Sequence, residues 1–451
     1  VGPLALLLAM AMFVLVVDTS LMNVSIAAVV RDLDTTTSGV QSAIALEALV
    51  SAAFILIGGK VGDLIGRKRA YVLGLLGYAV GAAAAIAAAV GPLLGGFITT
   101  YLSWRVGFAL EVVIIAVVLS GIRLVRDVPY TGPRGVDLVG SAMSVVGMGG
   151  IVLGVLVWQE GGEAVGALIA IGAVALWSLA WWLRRRKRLG KPALLDPALF
   201  ESPYFRLGIT QQMLQQIALG GMMIALPIYL QMVLEYNAMQ AGLSLAPLSL
   251  SMFAVALLAG KKAGRRRPGS IVRAGFLLLA VGTAVLIPIV PRAEFGWALL
   301  IPLAMAGSGL GLLVSRLNDY TLSPVSEERA SEAASVNSAA GSFGLSFGLA
   351  FAGAIMLATL AFSFTATAES STVLAPAEQQ RVAEVLEENA QVMTNTQLAE
   401  LLAQQPQPTQ EEILRINTAA RPPALQVALL VPLLAGLLGL LNSFRMLRLT
   451  D

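Results

Sequence analysis

Three carboxylates stand where charges are rare. Asp18, Glu47 and Glu111 each fall inside a run of apolar residues. An ionisable group at such a place is costly and is a functional candidate by default. At about 1.5 Å of helix per residue, Asp18 and Glu47 lie about 12–15 Å from the outer ends of their runs, and Glu111 about 9 Å. No Lys or Arg occupies mid-run to neutralise them. A carboxyl held away from water can take up a proton and release it again. The plainer alternative is a protonated carboxyl hydrogen-bonded to a neighbouring helix. Gln211, Gln212, Gln215 and Gln216 add two i, i+4 pairs, hence two adjacent amide stripes on one helix. Such amides either glue helices together or line a wet cavity. Asn23 and the hydroxyl of Tyr229 are further candidates for that cavity. Its acidic and neutral lining, with Met213, Met222 and Met223 to tolerate varied shapes, suits cationic or zwitterionic amphiphiles. Arg316, near the end of its run, is the basic group that could change this by pointing inward.

Other chemistry is excluded by what is absent. The 451 residues include no Cys and no His. Disulfides, thiol nucleophiles, iron–sulfur clusters, a Ser-His-Asp triad, imidazole relays and the usual zinc sites therefore fall away. Neither a metal nor another cofactor is expected, and the chain does not read as an enzyme.

The elements that must position these groups follow from composition. Hydrophobic residues make up 57% and charged ones only 13%, against about 25% charged in a soluble domain. The mean hydropathy is +0.80. A water-soluble enzyme could not hide this much apolar surface, and extended disorder is excluded as well. Runs of about 18 or more apolar residues read as spanning helices. They occur at 4–28, 39–57, 70–98, 106–122, 136–158, 165–183, 207–233, 241–259, 274–291, 297–315, 339–362 and 425–444. They are too long and too uniform for the alternating strands of a membrane β-barrel. The fold class is therefore an all-α polytopic membrane protein.

Alternate loops are basic and hold 24 of the 30 Lys and Arg residues. The other six are Arg31, Arg105, Arg292, Arg381, Arg415 and Arg421. The positive-inside rule then puts both termini in the cytoplasm of a multi-pass protein of the cell (inner) membrane. No basic n-region or cleavage pattern follows Val1, so the first apolar run reads as a retained span. Arg184–Arg188 reads as an interfacial anchor for membrane lipids and not as a nucleic-acid patch.

One outer segment, 363–424, carries eight Glu and three Arg. Pro376 suits a helix start, with Val382, Val385, Leu386, Asn389 and Met393 at helical spacing. Thr409 and Glu412 read as a capping box before Ile413, and residues 404–408 interrupt the pattern. Two or three short amphipathic helices are expected there. They would form a packed cap or a guide for a substrate or an outer partner.

Three motifs go further. Gly59-Lys60-Val61-Gly62-Asp63-Leu64-Ile65-Gly66-Arg67-Lys68-Arg69 resembles the cytoplasmic loop signature of the major facilitator superfamily, with Leu64 where a basic residue is usual. Asp63 and Arg67 can pair with each other and with helix ends and so latch one conformation, a set that includes Gly59, Gly66 and Lys68. Asp18-Thr19-Ser20-Leu21-Met22-Asn23-Val24 resembles the first-helix motif of the 14-span drug:proton antiporter branch, with Ala27 near the place of its proline. Gly91, Pro92, Gly95 and Gly96 resemble the antiporter motif of helix five, with Ala87 in place of its leading glycine. Trp104 and Arg105 match the end of that helix. Glu111 stands where that branch often has Asn.

The resemblance implies two six-helix bundles, at 1–124 and 206–445, with an inserted helix pair at 135–183. It implies alternating access around a central site, and a monomer that exports amphiphilic small molecules or lipids against protons. The alternative within the same superfamily is a lipid or glycolipid transporter without proton coupling. The antiporter motif closes the third run here, so 70–98 reads as the start of one helix joined to the end of a later one near Gly81 to Ala85. A 14-helix protein with one or two helices missing from this sequence is expected, the alternative being a natural 12-span chain. If Asp18 carries protons, Asp18→Asn abolishes gradient-driven export and leaves folding intact, as flux in vesicles would show. Unchanged active export would remove Asp18 from the mechanism.

Overall fold

The computed structural model describes residues 37–80, 105–124, 137–159, 162–261, 268–293, 295–326, 329–389 and 394–449, with isolated positions at 10–11, 29–30, 33, 35 and 135. Asp18, Asn23, Gly91, Pro92, Gly95, Gly96 and Trp104 lie outside the described residues, as does the expected junction near Gly81 to Ala85.

Among the described residues all regular structure is helical. In hydrocarbon the backbone N–H and C=O groups have no water to meet, and a helix satisfies them within one segment. The helices are α1 (Thr37–Ile65), α2 (67–80 in its described part), α3 (Arg105–Ser120), α4 (Leu138–Gln159), α5 (Val165–Arg188), α6 (Pro203–Ile228) and α7 (Ala238–Lys261). Then come α8 (Pro268–Ile289), α9 (Leu300–Leu322), α10 (Ala330–Glu369), α11 (Pro376–Asn389), α12 (Asn395–Leu401) and α13 (Gln407–Leu449). Nine of these stretches are long and apolar enough to cross a membrane. They coincide with nine of the twelve apolar runs. The run 106–122 appears as the shorter α3.

Within the second half of the chain α10 packs along α6 and α13, α8 along α9 and α13, and α9 along α7 and α6. Gly344 and Gly348 of α10 lie against the backbone of Met213 and Ile217 on α6, the small-residue packing by which helices approach in lipid. From the first half, α1 packs on α10 and α4, while α4 and α5 pack chiefly on each other. Local signals set the ends. The Ser202 hydroxyl caps α6, with Pro203 in its first turn. Pro227 stands inside α6, and the next turn widens into a π-helix over Tyr229–Val233.

Two helices far exceed the bilayer. With 40 and 43 residues, α10 and α13 extend about 60 and 65 Å, roughly twice the hydrocarbon thickness. Their extensions join α11 and α12 into one hairpin beyond the spans. α11 starts at Pro376 as its sequence suggests, but the expected capping box at Thr409 and Glu412 is absent. α13 begins earlier, at Gln407 with Pro408 in its first turn, where proline is tolerated. The box lies instead at Thr394 and Gln397, ahead of α12. The hairpin docks through Glu235, whose carboxylate accepts from Thr396 N (2.9 Å) and Thr396 Oγ1 (2.5 Å). Arg421 donates to the Met232 carbonyl, and Asn417 Nδ2 to Asn395 Oδ1 (2.7 Å).

Glu412, on the N-terminal extension of α13, accepts from Arg415 Nε at 2.8 Å and from the Ser371 hydroxyl. The Arg415 hydrogen bonds, and then that of Ser371, hold its carboxyl down to about 2. A depressed carboxyl stabilises the fold above its unfolded pKa, and that contribution is lost as pH falls towards the folded value. Hydrogen-exchange protection in the hairpin, corrected for the intrinsic rate at each pH, should therefore fall on going from pH 5 to pH 2. In Arg415→Gln the protection should already be lower at pH 7 and should fall less over that range.

Candidate functional site

α1 ends in a buried acid. Asp63 lies one helical turn before Arg67, whose Nε donates to Asp63 Oδ1 at 3.1 Å. Between them Gly66 takes φ 99°, a conformation that a side chain would resist. It lets the chain turn from α1 into α2, on which Lys68 stands half-buried. The expected latch residues are thus brought together. One turn before Asp63, Gly59 meets Ser335 of α10 so closely that a Cβ would collide with its hydroxyl. Further along, the Ser346 hydroxyl donates to the Ala45 carbonyl at 2.6 Å. The α1–α10 seam is closed from Ala45 to Gly59, about 21 Å of helix.

The membrane carboxylates occupy unlike settings. Glu111 on α3 is fully buried and accepts from the Tyr78 hydroxyl at 3.2 Å. Glu47 lies on an exposed face of α1 beside Leu46, Val50 and Phe54. Arg105 opens α3.

The four glutamines divide. Gln211 donates to the Gly439 carbonyl (2.9 Å) and to Met446 Sδ (3.4 Å), so it ties α6 to α13. Gln212 and Gln216 stand beside Gly341 of α10. Gln215 is buried, and among the described residues no donor reaches its Oε1. Tyr229 is buried too, its hydroxyl donating to the Ala293 carbonyl at 2.7 Å. Arg316 does point inward. It is 7% exposed, its Nη1 lies 3.6 Å from Asp319 Oδ2, and among the described residues its Nε and Nη2 meet no acceptor.

Asp137 escaped the sequence reading. It is buried ahead of α4 and accepts from Trp182 Nε1 (3.1 Å), Gly140 N (3.0 Å) and Leu194 N (3.3 Å), with Arg186 Nε at 3.7 Å. It clamps α4, α5 and the following linker at one point. The available signal was its place directly before an apolar run, the N-cap position. Among the described residues no cluster of three acids could hold a metal.

A sequence profile described as Major Facilitator Superfamily matches residues 80–349, more than half of the chain. The chain is 23% identical to a probable actinorhodin transporter of Streptomyces coelicolor, over 80% of this chain and 73% of that protein. It is 27% identical to the puromycin resistance protein pur8 of Streptomyces alboniger, over 73% of this chain and 76% of the relative. It is 24% identical to the multidrug resistance protein Stp of Mycobacterium tuberculosis, over 84% and 80%.

The closed seam makes its own prediction. Overpacking a close contact costs about 1–3 kcal/mol. Gly59→Val should therefore lower the melting temperature of the purified protein, and adding Ser335→Gly should recover part of the loss. Equal melting of Gly59→Val and wild type would show that the seam yields freely.

Proposed function

The chain belongs to the Major Facilitator Superfamily, and from that membership we propose proton-coupled export of amphiphilic cationic or zwitterionic compounds by alternating access. Members of this family are transporters and not enzymes, and this one is a multi-pass membrane protein. Its basic loops face the cytoplasm under the positive-inside rule. Relatives named for puromycin resistance, multidrug resistance and actinorhodin transport support a small-molecule client.

The observation that carries proton coupling is Glu111. It is an acid fully buried in an apolar helix, with one oxygen on a tyrosine hydroxyl. Such a group can be neutral in one conformation and charged in another if its surroundings change. Protonation and client binding then exclude each other, and antiport follows from competition. Asp18 enters the same scheme as a second carrier, and Glu47 as a third from its exposed face. Asp63 and Arg67 hold the α1–α2 end of the latch. The buried guanidinium of Arg316 favours the zwitterionic part of the client range, because a simple cation gains nothing from it.

Vesicles with an imposed proton gradient test the reading. Glu111→Gln, which mimics the protonated acid, should cut gradient-driven export at least tenfold, abolish the proton release from this site on client addition and weaken client binding. Export by Glu111→Gln at the wild-type rate would remove Glu111 from coupling. Block by simple organic anions in preference to lipophilic cations or zwitterions of similar size would overturn the client class.

A further inference from the structure

The inserted helix pair ends in a linker that reaches both halves of the latch. Residues 189–201 leave α5, and Arg186 Nε donates back to the Pro192 carbonyl at 2.6 Å. The buried carboxylate of Asp137 receives Leu194 N, so this linker is fastened to α4 and α5 together. Leu194, Leu195 and Leu199 are buried in one cluster with Leu179 and Leu183 of α5 and Ala333 and Val336 of α10, and Leu56 and Ile57 of α1 pack against it.

Asp196 makes the polar half of the contact. Its carboxylate takes Arg329, just before α10, and lies 3.5 Å from Lys187 Nζ. Its backbone N–H donates to Glu332 in the first turn of α10. Lys187 is also 3.2 Å from Glu201. α1, the linker and α10 surround a cavity of about 380 Å³ whose walls include Lys60 and Asp63 of α1. The same first turns of α10 lead to Ser335, which Gly59 touches.

We infer that residues 189–201 form a strap that holds the basic end of the α1–α10 seam shut, fastening the inserted pair to the start of α10 through Asp196. Opening at this end requires α1 to leave α10. α1 packs through Leu56 and Ile57 against the apolar cluster that the strap's leucines share with α5 and α10, as well as along α10 itself, so both contacts must part together. A strap held by Asp137 at Leu194 and by Arg329 and Glu332 at Asp196 resists that motion. The inserted pair thereby becomes part of the gate and is more than a spacer between bundles. The inference rests on the transport reading only for the purpose of the gate; closure itself is a property of the fold.

The chain has no native cysteine, so Ser335→Cys supplies a single thiol inside the seam. Its labelling by a membrane-impermeant maleimide, in vesicles that present the basic end, reads opening without any client or proton gradient. Partly exposed ion pairs are worth a few-fold in a two-state equilibrium. Asp196→Asn or Arg329→Gln in this background should raise the labelling rate about fivefold. The exchange Asp196→Arg with Arg329→Asp should bring it back towards the parent. Asp137→Asn should also raise it, since the strap loses its anchor. Unchanged labelling in Asp196→Asn or in Asp137→Asn, or a rise that the exchange leaves in place, would overturn the strap.

If these variants fail to fold, Asp196→Cys with Glu332→Cys in the serine parent serves instead. The cross-link should form in native membranes and stop export until reduced. No cross-link, or full export by the cross-linked protein, overturns the proposal. A chain that labels as expected yet exports no amphiphile refutes the transport reading and leaves the strap standing.

Discussion

A charge removed from water costs several kcal/mol unless other groups replace its hydration. This constraint organises the basic end of the protein. Asp137 meets it with an indole N–H, two backbone N–H groups and a nearby guanidinium. Those donors come from α4, α5 and the linker, so satisfying one carboxylate fixes the relative placement of three segments. Asp63 meets it with Arg67 one turn away. Asp196 draws on Arg329 and Lys187. Asp63 finds its partner within one turn of chain, whereas Asp137 and Asp196 draw on distant segments, and those contacts hold helices together.

Close approach is the second organiser. The α1–α10 seam depends on Gly59, because any larger residue would strike Ser335. The α6–α10 seam depends on Gly344 and Gly348 in the same way. In lipid, packing of this kind substitutes for the hydrophobic driving force that holds helices together in water. A seam built on one missing Cβ, flanked by ion pairs that water can reach, is firm when closed and inexpensive to open. That combination suits the alternating access proposed above.

The interior acids and amides show how one residue type takes different roles by placement. Gln211 is an interhelical tie, whereas Gln212 and Gln216, on the neighbouring stripe, stand beside Gly341 of α10. Glu111 is wholly enclosed with Tyr78, whereas Glu47 faces outward among apolar neighbours. Buried Arg316 adds a cation to the C-terminal helices, so the charge inside the described spans is not uniformly negative.

The sequence by itself determined the class of the protein and most of its spans. An apolar run of bilayer length has no other stable use, and backbone hydrogen bonding in lipid leaves a helix as the solution. Among the described residues, nine runs became helices long and apolar enough to span, close to where hydropathy put them. The ion pair of Asp63 and Arg67 was legible because both partners lie within one turn of chain. The tertiary structure decided what distance in sequence conceals. Asp137 receives its donors from residues 45 and 57 positions away, and Asp196 meets Arg329 from 133 positions away. The inward turn of Arg316, the hydroxyl of Tyr229 on Ala293 and the early start of α13 were likewise invisible to periodicity. Helical spacing says which residues share a face, but only packing says what that face meets.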